Sequence, residues 1–299
     1  MSSSERTDTY TVHLDTANWI DLARRFVPRH TYHVFERAVA DRRVLPVVSL
    51  AHLIEFAGIE DSVKRGEITR GLEHFDSIGD MRWIKQLYDV IRLEAAACFR
   101  GLVDDAWTPP DVCSRSFHST LHDFARWEFD LETPRRIRDL VEAVRQDEPF
   151  VEGFREDRRA YPAERREIAK VRRARRAARF SDGELRAWIA DYLPGVIQLP
   201  SGLSHRITED MKAEFLMKAD LDQCPAFRVD QAWHEGWNLD PAGASGSDIA
   251  DCLHAPGLAY CDVAFADKRT VDALRKGRSP KTPHKNSEFS NWVETLGKD

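Results

Sequence analysis

Apolar and polar positions follow two different periods along this chain, and the changes of period divide it into three parts. Near the N-terminus the short apolar run TVHL ends at Asp15, after which Trp19, Ile20, Leu22, Ala23 and Phe26 recur at helical spacing as far as Pro28. This predicts a strand over about 11–15 and a helix turning those five side chains to a core. A second helix over 29–41, a β-branched strand VLPVVS and a helix in AHLIEFAG with Ser49 as its N-cap follow. The order is β-α-α-β-α.

From about 61 to 239 the helical period dominates, with helices expected near 61–76, 80–103, 116–128, 134–147, 162–180, 182–193, 206–222 and 229–236. The one weak strand signal is GVIQL at 195–199, and turn chemistry divides the stretch at Thr108-Pro109-Pro110, Pro134, Pro162 and Pro194-Gly195. The segment reads as a large all-helical insertion. After the turn-rich DPAGASGSD the α/β order returns: helix 248–254, strand 259–266 ending at Asp267, helix 269–276 and a final helix near 287–296, with 277–287 a polar surface loop. The fold class predicted is α/β, with a short, mainly parallel sheet flanked by helices and split between residues 1–60 and 240–299. Parallel strands put their carboxyl ends on one edge, where ligands usually bind. Asp15 and Asp267 are therefore expected at one site although 252 positions separate them.

Composition narrows the function classes. The 299 residues are 42% apolar without a run of about 18 apolar residues, so no transmembrane helix is expected. The polar start MSSSERTDTY has no secretory core, which points to a cytoplasmic location. Five cysteines without a CxxC spacing predict reduced, mostly buried thiols rather than a disulfide framework or structural zinc. Net charge is −6, yet 151–180 alone carries eleven Arg/Lys against five Asp/Glu, leaving the remainder at −12. No GxxxxGK[ST], GxGxxG or GxSxG is present, which argues against P-loop, dinucleotide and α/β-hydrolase chemistry.

The acids then carry the candidate chemistry. Asp15 stands where a helix N-cap or a metal ligand would serve equally. Glu55 lies between Ile54 and Phe56 and must face solvent or find a cation. Asp248 and Asp251, three apart, share one side of a helix, and only Asp248 can cap it. Asp262 and Asp267 flank the last strand on opposite faces, Asp267 being the better placed. Hard divalent ions such as Mg²⁺ and Mn²⁺ take carboxylate and water oxygens, and such a rim suits in-line attack on a phosphodiester.

In LDTANWIDLA, VVSLAHLIEF and SDIADCLHAPGLAYCDVAFADK the chain resembles PIN domains, the fold of many metal-dependent ribonucleases and of bacterial toxins paired with antitoxins. The resemblance covers about 8–60 and 240–299. It implies a PIN-like core that holds one or two Mg²⁺ or Mn²⁺ ions and cleaves RNA. Asp15, Glu55, Asp251 and Asp267 become the catalytic and metal-binding quartet, with Asp248 as a further metal ligand. An antitoxin or other protein partner and a homodimer are compatible with this reading, and a membrane partner is not expected.

Other features attach to the same site. The helix expected at 163–180 is basic all round, and Arg172, Arg173 and Arg176 are its candidate contacts to an RNA backbone. His52 and His254 lie one helical turn from Glu55 and Asp251 and are candidate substrate contacts. Of Trp83, Trp107, Trp127, Trp188, Trp233 and Trp237 at least four are expected to fill core. Glu94 is expected at the surface unless it adds an acid to the site. The alternatives to a ribonuclease are a non-catalytic nucleic-acid-binding or protein-interaction module on the same scaffold, and a DNA-directed nuclease of flap type.

Overall fold

The computed structural model describes residues 9–104, 108–115, 136–175, 179–193, 195–198, 204–241 and 245–298. Strand β1 (Tyr10–His13) is the centre of a six-stranded sheet. It runs parallel to β2 (Val44–Ser49) on one side and to β7 (Val263–Ala266) on the other. Beyond β2 lies β3 (Arg82–Ile84) and beyond β7 lies β8 (His284–Lys285), both parallel to their neighbours, while β4 (Cys113–Ser114) adds an antiparallel edge next to β3. The order is β4-β3-β2-β1-β7-β8. A separate antiparallel pair joins β5 (Val196–Gln198), inside the weak GVIQL signal, to β6 (Ser204–Arg206).

Strand alternation explains the two helical layers. Val12, Leu14 and Phe265 turn to one face, where they meet Trp19, Phe35, Phe56, Phe75 and Phe289. The helices of that layer are α1 (Thr16–Ala23), α2 (Arg29–Ala40), α3 (Leu50–Ala57), α4 (Ser62–Ile78), α6 (Ile137–Gln146) and α14 (Phe289–Leu296). Ala264 and Ala266 turn to the other face and pack with Leu258, Phe227, Trp233 and Leu274. That layer holds α5 (Leu87–Asp104), α8 (Asp182–Ala190), α9 (Glu209–Lys218), α10 (Pro225–Leu239), α12 (Ala255–Tyr260) and α13 (Lys268–Lys276). The long α7 (Glu148–Ala174) and the short α11 (Asp248–Cys252) complete the chain's main elements.

The 61–239 segment is helical for most of its length, but it is built into the core rather than set beside it. It contributes β3 and β4 to the sheet, and its helices supply parts of both layers. Three residues, Arg82-Trp83-Ile84, are too short a strand to show a period, so the expected helix at 80–103 begins only at Leu87. Pro162 does not end a helix: α7 runs through it, with Tyr161, the residue before it, buried against Trp233. The strand expected at 259–266 begins only at Val263, because residues 255–260 form a helix with Pro256 in its first turn, where it fits well. Within the expected loop 277–287, His284 pairs with Phe265. Phe26 is 62% exposed, since α1 stops at Ala23 before its apolar stripe reaches that residue. Trp83, Trp233 and Trp237 are buried, and the described cysteines are free thiols, four of them buried. The helix expected at 116–128, with Trp107, Trp127 and Pro134, lies outside the described residues. Among the described residues no helix is long and apolar enough to cross a membrane.

Candidate functional site

The parallel neighbours β1 and β7 end side by side, and each hands its chain to a helix through an aspartate. Asp15 caps α1, its Oδ1 accepting from Thr16 N at 2.8 Å, and Asp267 caps α13, its Oδ1 accepting from Thr270 N at 2.6 Å. Both caps leave the carboxylates at the carboxyl edge of the sheet. Between them is a small pocket lined by Asp15, Asp251, Asp267, His13, His254 and Thr270 among others. Asp15 also accepts from the side-chain amide of Asn286, 271 residues away. Asn286 directly follows β8, a strand the sequence pattern did not reveal.

Glu55 reaches the same edge from α3. It accepts from Thr16 Oγ1 and lies 3.0 Å from His254 Nε2. Burial pushes its carboxyl up, but the bond and charge of His254 outweigh this and hold it below the usual range. His254 is raised above an ordinary histidine: burial works against it, and the bond to Glu55 and the charges of Glu55, Asp15 and Asp251 prevail. Asp15 is raised by burial despite His254 and Asn286. Asp251 is pushed up to about 8, first by burial and then by Asp267, Glu55 and Asp15. Four carboxyl groups thus act on one another at this edge, and Asp251 responds most. A divalent cation is the kind of partner that favours the ionised form of all of them.

The two remaining acids point elsewhere. Asp248 is fully buried and held by Ser245 N and Arg269 Nη2, both at 2.7 Å, and it does not line the pocket. Asp262 accepts from Thr11 N and Oγ1 at 2.7 Å, so it belongs to the opposite, amino end of the strands. His52 departs from its expected substrate contact: it is fully buried, its Nδ1 accepts from Ser49 N at 3.0 Å and its Nε2 donates to Leu14 O at 2.7 Å. Burial and His254 lower it to about 3, so it is a neutral tie between the end of β1 and the start of α3. That tie fixes Asp15 relative to Glu55.

His13 was not singled out by the sequence pattern. It is fully buried on the pocket side of β1, out of phase with Val12 and Leu14, and neither ring nitrogen has a hydrogen-bond partner. Its parity with Asp15, two residues on, was the available signal. Burial and the neighbouring His52 and His254 keep it well below an ordinary histidine, and hence neutral. Among the described residues, ligand atoms of His13, His52 and His254 all lie within 4.8 Å of one another, the distance scale of a shared ion. His52 uses both nitrogens within the fold, so its part in a three-imidazole site would require breaking a bond, whereas His254, bonded to Glu55 through Nε2, keeps Nδ1 without a hydrogen-bond partner. Among the described residues these three imidazoles are the group whose ligand atoms come together within 4.8 Å; the four carboxylates do not.

The basic helix is partly spent inside the protein. Arg172 Nη2 binds Glu184 at 2.8 Å and its guanidinium stacks on Phe180, Arg173 Nη2 donates to Leu239 O at 2.9 Å, and Arg179 Nη1 binds Glu235 at 3.0 Å. Arg173 remains exposed, as do Arg166, Lys170 and Arg175, whereas Arg176 lies outside the described residues. Helix α7 lies along the segment that carries Asp251, with Arg158 Nε 3.3 Å from Gly246 O. Glu94, expected at the surface, is fully buried and accepts from Ala226 N, Phe227 N and Tyr260 OH at 2.7–2.9 Å. It serves the first turn of α10 and takes no part in the pocket.

These features define an α/β protein with a carboxylate-lined pocket at the carboxyl edge of a mainly parallel sheet. Comparison with protein families, with curated proteins and with solved structures finds no match to this chain.

Proposed function

We propose that the protein is a metal-dependent ribonuclease of PIN-like design. The observation that carries this reading is the convergence of Asp15, Asp251 and Asp267 on one pocket, with Glu55 bonded to His254 on its wall. Asp15, Glu55, Asp251 and Asp267 would hold Mg²⁺ or Mn²⁺, which supplies an activated water for in-line attack on the phosphodiester and charge stabilisation of the leaving oxygen. Asp15 and Asp267 are oriented by their own helix caps, and the Asn286 amide holds the second oxygen of Asp15, so both carboxylates are preset. His254, shifted toward its charged form by the bond and charge of Glu55, orients Glu55. Exposed Arg166 and Arg173 on α7, with Arg175 just past its end, supply phosphate contacts whose strength falls as salt rises.

The test is cleavage of a labelled RNA pool by purified protein with Mn²⁺ or Mg²⁺, with EDTA, and by Asp15→Asn. Metal-dependent cutting that the variant lacks supports the proposal. Absence of cutting, together with no metal binding by calorimetry, sinks it. Parallel assays on structured RNA and flapped DNA separate this activity from a flap-type nuclease.

A second reading, a nucleic-acid-binding module without catalysis, draws on the capping bonds of Asp15 and Asp267, which give both acids a structural role. It predicts RNA binding that needs no divalent ion and survives Asp15→Asn.

A further inference from the structure

Next to the carboxylate pocket is a larger cavity, of about 540 Å³, lined by Tyr88, Tyr192, Phe150, Phe154, Gln86 and Arg92 among others. Its position follows from the topology. Ser49 and Gln86, which border it, stand at or just beyond the carboxyl ends of β2 and β3, whereas Asp15 and Asp267 stand at those of β1 and β7. Neighbouring strands are separated by about 5 Å. Cavity and acids therefore lie side by side along one edge of the sheet.

Two chain segments form a shared wall. On α3, Ile54 faces the cavity and the next residue, Glu55, bonds His254. At the end of α11, Cys252 and Leu253 face the cavity, while Asp251 and His254 on either side of them line the acid pocket. A strand whose phosphate sits at the carboxylates thus has its adjoining residue at the mouth of the cavity.

The lining matches a flat aromatic ligand with a polar edge. Tyr88 and Tyr192 have ring planes within 8° of parallel at 6.3 Å, and Phe150 and Phe154 within 9° at 6.4 Å. Around them Gln86 and Arg92 provide amide and guanidinium groups for the edge of a base, and Asp157 provides an acceptor. Arg92, 60% exposed, reaches the mouth while pairing with Asp89 at 3.5 Å. The volume is within the range of small-ligand sites. Aromatic faces stack any base, which is how single-stranded nucleic acids are held without strict sequence readout.

We infer that this cavity is a nucleobase subsite, which takes an unstacked base of the RNA strand flanking the phosphate at the carboxylates. The inference rests on the nuclease reading for its orientation, but binding tests it without catalysis. The full-length protein in EDTA is titrated with AMP, GMP, CMP and UMP, with ribose 5-phosphate as the base-free control, by calorimetry or saturation-transfer NMR. Nucleotides bind and the control does not; Tyr192→Ala and Phe154→Ala each weaken binding fivefold or more, while Tyr192→Phe, which keeps the ring, binds as the parent does. Circular dichroism and thermal melting establish that the variants are folded. Equal binding of nucleotide and ribose 5-phosphate, or unchanged affinity in folded Tyr192→Ala and Phe154→Ala proteins, overturns the inference. Nucleotide binding by a protein that cuts no RNA leaves the subsite standing and removes the nuclease; RNA cutting without nucleotide binding does the reverse.

Discussion

Glu55 and His254, 199 positions apart, face each other at 3.0 Å across the junction of α3 and the turn after α11, with the His254 side chain only 6% exposed. Each shifts the other toward its charged form. Glu55, lowered in the fold, contributes fully above its ordinary 4.5 and loses that contribution as pH falls through its folded value. His254, raised in the fold, contributes fully below its ordinary 6.5 and loses it as pH rises through its folded value. The pair is therefore expected to stabilise most between those two pH values. His254→Gln should cost about 1–3 kcal/mol at pH 5.5 and less at pH 9, read from urea midpoints.

Asp15→Asn separates capping from charge. Asparagine caps a helix as well as aspartate, so thermal stability should stay within about 1 kcal/mol, whereas Asp15→Ala should lose about 1–2 kcal/mol more. Both variants should lose Mn²⁺ binding by calorimetry and at least about 100-fold in RNA cleavage, as removal of a key electrostatic group does. Retained Mn²⁺ affinity in Asp15→Asn would remove this residue from the ligand set.

Asp248 and Asp251 should behave in opposite ways. Asp248→Asn weakens the bond at 2.7 Å between a buried carboxyl and Arg269, whose side chain is 44% exposed, so a stability loss of about 1–3 kcal/mol with unchanged Mn²⁺ affinity is expected. Asp251→Asn removes the carboxyl that burial, and after it the neighbouring acids, push up to about 8; it should hold stability or raise it, and abolish tight Mn²⁺ binding. Calorimetry and melting of the two proteins decide between them.

Burial pushes Glu94 up to about 7, against the three groups that donate to it. The native state thus holds its proton more tightly than the unfolded chain, and stability from this group falls as pH rises from 4.5 through about 7. Glu94→Gln should flatten that part of the pH profile. At pH 5 it should cost about 1–3 kcal/mol, because one amide cannot accept from both Ala226 N and Phe227 N.

A Cβ at Gly236 would lie 2.1 Å from Ala273 O, where α10 and α13 cross backbone to backbone. Gly236→Ala should destabilise by about 1–3 kcal/mol. Gly153, on α7 with nothing within 4 Å, is the control: alanine there should add about 0.5–1 kcal/mol. Equal melting temperatures for the two variants would contradict the close crossing.

Local pattern determined the elements with a long enough period or a clear stop. The helices at 29–40, 62–78 and 268–276, the strand Val44–Ser49, and the two aspartates at strand ends were all legible, because amphipathic spacing and N-caps are properties of neighbouring residues. The common edge of Asp15 and Asp267 was legible too, since parallel strands share a direction. Tertiary structure decided the rest. Strands of two or three residues such as β3, β4 and β8 carry no period, and only pairing with a neighbour makes them strands. Whether an acid is a cap, an ion-pair partner or a pocket wall depends on what the fold brings within about 3 Å: Arg269 for Asp248, Thr11 for Asp262, the start of α10 for Glu94. The buried, unpartnered His13 shows the same limit. Its two nitrogens have meaning only because β1 is covered by α12 and flanked by Asp15, and those contacts join parts of the chain that sequence spacing cannot relate.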